Sequence, residues 1–396
     1  MNKVVVLKYC GFFSGVGSGF ILAAFLDPED TSKYAAMLSL INILVPILSF
    51  GSPTMIIWSA REKEIAEQVG KLNLLVTAVS ALIFFSALAG LISGHYAALF
   101  LILLSLTIIA RCSAAYVRVN RSSVAAALFE SVGLKILPAL LFLLVALQMG
   151  LTLWTVVALQ AACTWVFILA TYDWRRRISP AIRLALTTVK TALKKASLQL
   201  IAVAAKEIDS IIALALMDAT MAVSVFLGKR AYAVGSVINE SSRLIYQPDF
   251  SSVGTKAAMA PDAYWTARRK NIALGTIANA AILLMFLIVC NLMTQTDVLS
   301  NYFDVKSDPF GTQTQIVVTI YLLARCVENL FGPIEQYLVM QDLHVRAALV
   351  NVSIVLLKAG VFAISLSGLC GVAAIAFARS AVVAAVWQAG WIPQRA

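Results

Sequence analysis

Seven basic side chains fall near the middle of long apolar runs: Lys135, Lys206, Lys229, Arg230, Arg325, Lys358 and Arg379. Six acids share such runs: Glu130, Glu207, Asp209, Glu240, Glu328 and Glu335. A Lys or Arg at the centre of a bilayer costs about 2.5–3.5 kcal/mol on the insertion scale, so seven facing lipid would cost roughly 17–25 kcal/mol. Whole proteins are stable by only about 5–15 kcal/mol. These cations must therefore face one another, the acids or water. Lys8, Arg111 and Arg243 lie within a couple of turns of a span end and read as snorkelling side chains.

Helical spacing pairs some of these charges. Lys206 with Asp209, Arg325 with Glu328 and Glu240 with Arg243 are each three residues apart, so each pair can meet on one helix face. Lys135, Lys229, Arg230, Lys358 and Arg379 have no acid at that spacing. An ion-pair network accounts for part of the set, and the remainder points to a wet, net-cationic cavity. Such a cavity suits an anionic cargo, because Arg presents a planar fork that matches phosphate and Lys a point charge that attracts it. The expected cargo-binding set is thus the seven cations. Glu207, Asp209, Glu328 and Glu335 carry two readings: they take up a coupling proton or sodium ion, or they only neutralise Lys206 and Arg325. No other cofactor and no metal centre is expected. The six cysteines fall one per apolar segment with no Cys-x-x-Cys pair.

The elements that position these residues follow from composition. The 396-residue chain is 61% hydrophobic and 13% charged, with a mean hydropathy of +0.88. A soluble domain carries roughly 25% charged residues. The apolar runs are about 20 residues long, enough to cross ~30 Å of hydrocarbon as helix. Twelve spans are read, near residues 3–25, 34–58, 70–93, 97–117, 124–147, 151–172, 197–217, 220–247, 271–293, 313–338, 347–366 and 369–391. The first reads as a retained signal anchor. The expected fold class is an all-α integral membrane protein, two six-helix bundles around a central cationic cavity.

An even span count puts both termini on one side. Taking that side as cytoplasmic, its segments hold 19 Lys and Arg, whereas the opposite loops hold only Lys33 and Lys306. This is the positive-inside bias, so the net charge of +11 reflects orientation and not nucleic-acid binding. The division is residues 1–172, a linker at 173–196, and residues 197–396. The linker carries Ile182, Leu186, Val189 and Leu193 at helical spacing beside Arg183, Lys190 and Lys194. That pattern reads as an amphipathic helix on the inner leaflet. Six plus six spans is the layout of a duplicated transporter.

Several stretches resemble the multidrug/oligosaccharidyl-lipid/polysaccharide (MOP) superfamily, most of all its O-antigen and polysaccharide flippases of the Wzx type. They are Phe13 to Phe20 with its Gly and Ser repeat, Phe50-Gly51-Ser52-Pro53 at the end of span two, Lys206-Glu207-Ile208-Asp209-Ser210 in span seven, Val223 through Tyr246-Gln247-Pro248 in span eight, and Gln341-Asp342-Leu343 before span eleven. The resemblance implies a flippase of the bacterial inner membrane. Its implied cargo is an undecaprenyl-pyrophosphate-linked oligosaccharide, moved from the inner to the outer leaflet by alternating access beside membrane lipids and polysaccharide-assembly proteins. The chain departs from the family in being short, in lacking the two extra helices of lipid II flippases, and in having Lys229-Arg230 where relatives often have tyrosine.

Other classes fit less well. A multidrug exporter of the same superfamily handles cationic drugs through lumen acids, whereas cations are in excess here. A polymerase or ligase of lipid-linked sugar needs a large outer loop, and the longest, near 294–312, is short. His95 and His344 lie at span ends and read as solvated loop residues. The chain has no Walker A loop for ATP-driven transport.

Overall fold

A computed structural model describes residues 2–53, 75–87, 96–120, 123–171, 186–237, 255–296, 311–332, 334–340 and 343–391. The protein is all-helical there, as expected for apolar runs whose backbone must satisfy itself. In chain order the helices are α1 (Asn2–Phe25), α2 (Pro28–Leu48), α3 (Leu75–Ala87), α4 (Tyr96–Asn120), α5, α6 (Leu153–Thr171), α7 (Leu186–Leu216), α8 (Ala219–Gly235), α9, α10 (Thr312–Asn329), α11 (Ile334–Met340), α12 (His344–Ala363) and α13 (Gly368–Gln388). Helix α5 runs from Ser123–Ser131 through a π turn at Val132–Ile136 into Leu137–Met149. Helix α9 runs from Thr255–Lys270 through a second π turn at Asn271–Gly275 into Thr276–Thr296. Among the described residues, eight helices are long and apolar enough to cross a membrane.

Wherever an expected span is described it overlaps a helix, but three boundaries move. Helix α7 starts at Leu186 and continues unbroken into span seven, so residues 186–196 of the expected linker are its first turns. Ile182 and Arg183 lie outside the described residues. Helix α9 begins at Thr255, well before the span expected from 271. The expected span 313–338 is two helices, because the chain turns at Leu330–Gly332 with Gly332 at φ +73°. The Glu240–Arg243 pair, His95 and the outer loop near 297–310 lie outside the described residues.

The chain folds as two compact units. The first comprises residues Met1–Leu22 and Ala36–Glu207, the second Ala23–Ala35 and Ile208–Ala396. In the first unit Gly51, at φ +63°, ends α2 where a Cβ would come within 3.0 Å of the Ala192 carbonyl oxygen of α7. Only glycine meets both demands, a left-handed backbone and so close an approach. Gly11 lies so near Ser131 on α5 that a Cβ would meet its Oγ at 2.8 Å, so this glycine of α1 serves helix packing. In the second unit the Asp218 side chain caps α8 by accepting from Met221 N at 2.8 Å. Gly228 lets α8 lie against the Tyr321 ring of α10, where a Cβ would come within 2.5 Å. Met221, Val225, Val317 and Val372 form the apolar core beside that contact. Ile277, Leu284, Met285 and Leu356 are exposed, as on lipid-facing helices.

Candidate functional site

The second unit gathers most of the charges. Arg325 and Glu328 stand one turn apart on α10, and Arg325 Nη1 donates to Glu328 Oε2 at 2.7 Å. Arg379, from α13, donates through Nε to Glu328 Oε1 at 2.6 Å and reaches Glu335 Oε1 through Nη2 at 2.9 Å. Glu335 belongs to α11, so the turn after α10 is what brings the second carboxylate to Arg379. The Tyr232 hydroxyl of α8 donates to Glu328 Oε2, and its ring lies 5.1 Å from the Arg325 guanidinium. Two guanidinium groups thus enclose one carboxylate and reach a second, and a phenol completes the first carboxylate's shell. Buried charges persist only when paired and hydrogen-bonded in this way.

A second pair lies across α7 and α12. Lys358 Nζ donates to Asp209 Oδ1 at 2.5 Å, and the Tyr321 hydroxyl donates to Asp209 Oδ2 at 3.2 Å. Asp209 is 4% exposed and Lys358 5%. Lys229, on α8, donates to Ser210 Oγ at 2.9 Å, beside Asp209 in sequence. Arg230 stacks over Phe226, one turn back on its own helix, at 4.9 Å.

The first unit holds a different arrangement around Glu207. Its carboxylate accepts from Ser39 Oγ at 3.1 Å and Asn42 Nδ2 at 3.3 Å, both on α2. Arg111 of α4 donates to Asn42 Oδ1 at 2.5 Å, so one carboxamide joins guanidinium to carboxylate. Lys135 sits in the π turn of α5, its ammonium 4.0 Å from the centre of the Phe12 ring. Lys206 is exposed.

Two expected pairings are corrected. Lys206 does not meet Asp209; among the described residues Asp209 is held by Lys358 and Tyr321. Residues three apart on a helix diverge by about 60°, enough here to turn one side chain inward and leave the other exposed. Lys358 and Arg379, which have no acid at helical spacing, are ion-paired across helices, with carboxylates 149 and 51 residues away in sequence. The Arg325–Glu328 pair forms as its spacing predicts. Of the second unit's five mid-span cations (Lys229, Arg230, Arg325, Lys358, Arg379), three therefore pair with its carboxylates Asp209, Glu328 and Glu335, more than same-helix spacing indicates. Sequence reasoning misses Tyr232, Tyr321, Ser39 and Asn42.

No protein-family model matches the sequence. No curated protein matches it either. Solved structures match it in fold. An outward-facing multidrug resistance MATE transporter of the MOP superfamily superposes with a TM-score of 0.64 at 15% identity, covering 98% of this chain and 94% of that one. The lipid II flippase MurJ, in an inward closed conformation, gives a TM-score of 0.62 at 11% identity, covering 99% and 88%. A MOP-superfamily transporter from Pyrococcus furiosus, described as having a binding pocket of reverse polarity that suggests a different function, gives 0.64 at 14%, covering 98% and 94%. At these identities the likeness is one of architecture: the chain is a multi-pass helical membrane protein with the fold of the MATE and MurJ structures.

Proposed function

We propose that this protein is a flippase that moves an undecaprenyl-pyrophosphate-linked oligosaccharide from the inner to the outer leaflet of a bacterial inner membrane, by alternating access of its two halves. One observation carries the reading: a MOP-type fold whose described spans hold more cations than acids. Lys8, Arg111, Lys135, Lys206, Lys229, Arg230, Arg325, Lys358 and Arg379 stand against Glu130, Glu207, Asp209, Glu328 and Glu335. A multiply anionic pyrophosphate matches that sign, and the exposed Lys206 supplies a charge that can meet it first. Arg325, Lys358 and Arg379 then act as cargo ligands only by leaving their carboxylates, which ties cargo binding to rearrangement of the ion pairs. Both termini are cytoplasmic in this reading, in keeping with the loop charge bias.

The likeness to MATE transporters supports a second reading, export of drugs. The sign of the span charges favours the first, since the second unit's acids are already engaged by resident cations. The test is complementation. A deletion strain should lose a surface polysaccharide and regain it with the intact gene. Lys206→Gln with Lys229→Gln should restore little export at normal protein abundance. Unchanged polysaccharide with increased drug sensitivity in the deletion strain decides for the second reading.

A further inference from the structure

Three asparagines lie wholly inside the second unit: Asn271, Asn279 and Asn329 are 0%, 1% and 0% exposed. Among the described residues, neither carboxamide atom of Asn271 or Asn329 makes a hydrogen bond, nor does Arg325 Nε beside them, and the Asn279 carboxamide meets only the Cys326 thiol. Buried polar atoms are nearly always partnered, so such a concentration needs a ligand. The three are not scattered. Asn271 and Asn279 sit on α9 with Gly275 between them, at successive four-residue steps along one face. Asn329 lies over Gly275, its Nδ2 2.7 Å from where a Cβ would be. Asn279 lies over Gly235 of α8 in the same way, with the Arg325 stem 3.4 Å from that point. Gly235 is one turn beyond Tyr232, whose hydroxyl reaches Glu328. The amides therefore ascend in the order Asn271, Asn329, Asn279 and end at Arg325, Tyr232 and Glu328.

The chemistry of the unpartnered atoms selects the ligand. They include donors (the Asn271 and Asn329 Nδ2 groups and Arg325 Nε) and acceptors (three Oδ1 atoms). A cation would face the guanidinium, and an anion would leave the carbonyl oxygens unmatched. Water both donates and accepts. The spacing agrees: four helical residues rise about 6 Å, the length of two hydrogen bonds of about 2.9 Å joined at one water. We infer that these amides hold a single file of water running from the π turn of α9 to the Tyr232–Glu328 pair, giving Glu328 a route for protons through the membrane-embedded unit. The π turn begins at Asn271, and such turns inside helices recur at functional sites. The charged or titratable groups facing Glu328 are Tyr232 from α8, Arg325 from α10 and Arg379 from α13, so a proton arriving there loosens both guanidinium contacts.

The part this file plays in coupling rests on the transport reading above, but the file itself is measurable without cargo. Purified protein in lipid nanodiscs is exposed to short X-ray pulses, which make hydroxyl radicals from bound water where it lies. The Cys326 thiol, only partly buried, contacts Asn279, and the fully buried Cys290 on α9 sets the floor rate. Cys326 and Tyr232 should oxidise severalfold faster than Cys290. Asn279→Leu should bring both down to the Cys290 rate, and Asn279→Ser, which keeps a polar partner, should preserve them. Oxidation of Cys326 and Tyr232 at the Cys290 rate in the wild-type protein overturns the inference. So does fast labelling that survives Asn279→Leu. If the leucine variant fails to fold, Asn279→Val, smaller and equally apolar, makes the same comparison with the wild-type protein. Because no cargo is present, a dry seam and an inactive transporter register separately.

Discussion

The two units hold their inward carboxylates by different means. In the second, Glu328 lies between two guanidinium groups and Asp209 takes an ammonium, so each buried negative charge meets a positive one directly. In the first, Glu207 accepts from a serine hydroxyl and a carboxamide, with Arg111 reaching it through Asn42. The physical consequences differ. A directly paired buried carboxylate is costly to separate from its cation, because removing one partner strands the other in a poorly solvating interior. A carboxylate on hydroxyl and amide donors has partners that can also serve its protonated form, a hydroxyl by turning its hydrogen away. The second unit's acids are suited to rigidity, and they change charge or yield to an anionic cargo only as their ion pairs open. Glu207 is suited to changing its charge.

Substitutions at the ion pairs put that contrast under the most strain. Arg379→Ala leaves Glu328 with one guanidinium and deprives Glu335 of its described partner. It should destabilise the purified protein by about 3–5 kcal/mol, the range for stranding a buried charge. Thermal unfolding in detergent, followed by tryptophan fluorescence, measures it. Lys358→Met should cost a comparable amount by stranding Asp209, whereas Lys358→Met with Asp209→Asn should recover most of the loss. Such a cycle reports the coupling within the pair and not the worth of either residue alone. If the single and double variants are equally unstable, the pair contributes packing and the contrast between the units loses its electrostatic basis.

The sequence carries the fold in its run lengths, because twenty apolar residues have one structural solution in lipid. It carries the Arg325–Glu328 pair as well, because three-residue spacing is a local geometric fact. It does not carry Lys358–Asp209 or Arg379–Glu328, since tertiary packing alone sets which face of one helix meets which face of another. The same-helix rule, applied to Lys206 and Asp209, names the wrong partner for that reason. The break after α10 is faintly written in Gly332 and Pro333, but its consequence, Glu335 swung to Arg379, is not. The aromatic and amide members of both sites have no charge to mark them within an apolar run, so Tyr321 and Asn42 pass as ordinary span residues.

A smaller effect tests the frame around Glu207. Gly51 fastens the end of α2, which carries Ser39 and Asn42, against α7, which carries Glu207. Gly51→Ala places a side chain at φ +63° and against the Ala192 carbonyl. It should cost about 1–3 kcal/mol, the range for a non-glycine residue held in a sparsely populated backbone region. Chemical denaturation in mild detergent reads this change. A neutral result would mean that α2 shifts freely and that the Glu207 contacts are not held by this junction.

The smallest stability effect belongs to Glu207 itself, and it separates the two units most directly. In Glu207→Gln the side chain keeps one oxygen able to accept from Ser39 or Asn42, and Arg111 retains its bond to Asn42. The loss should be about 0.5–1.5 kcal/mol, the net worth of an ordinary hydrogen bond. Its effect on transport should be large, since glutamine cannot exchange a proton or bind sodium as a carboxylate does. Proteoliposomes loaded with a fluorescent lipid-linked oligosaccharide and energised by an imposed proton or sodium gradient supply the measurement. Gradient-driven flipping should fall to the rate seen with the gradient collapsed, while gradient-independent exchange of the lipid persists. Unchanged gradient-driven flipping in Glu207→Gln would remove the first unit from coupling and leave Glu328, at the end of the asparagine seam, as the acid that the ion must reach.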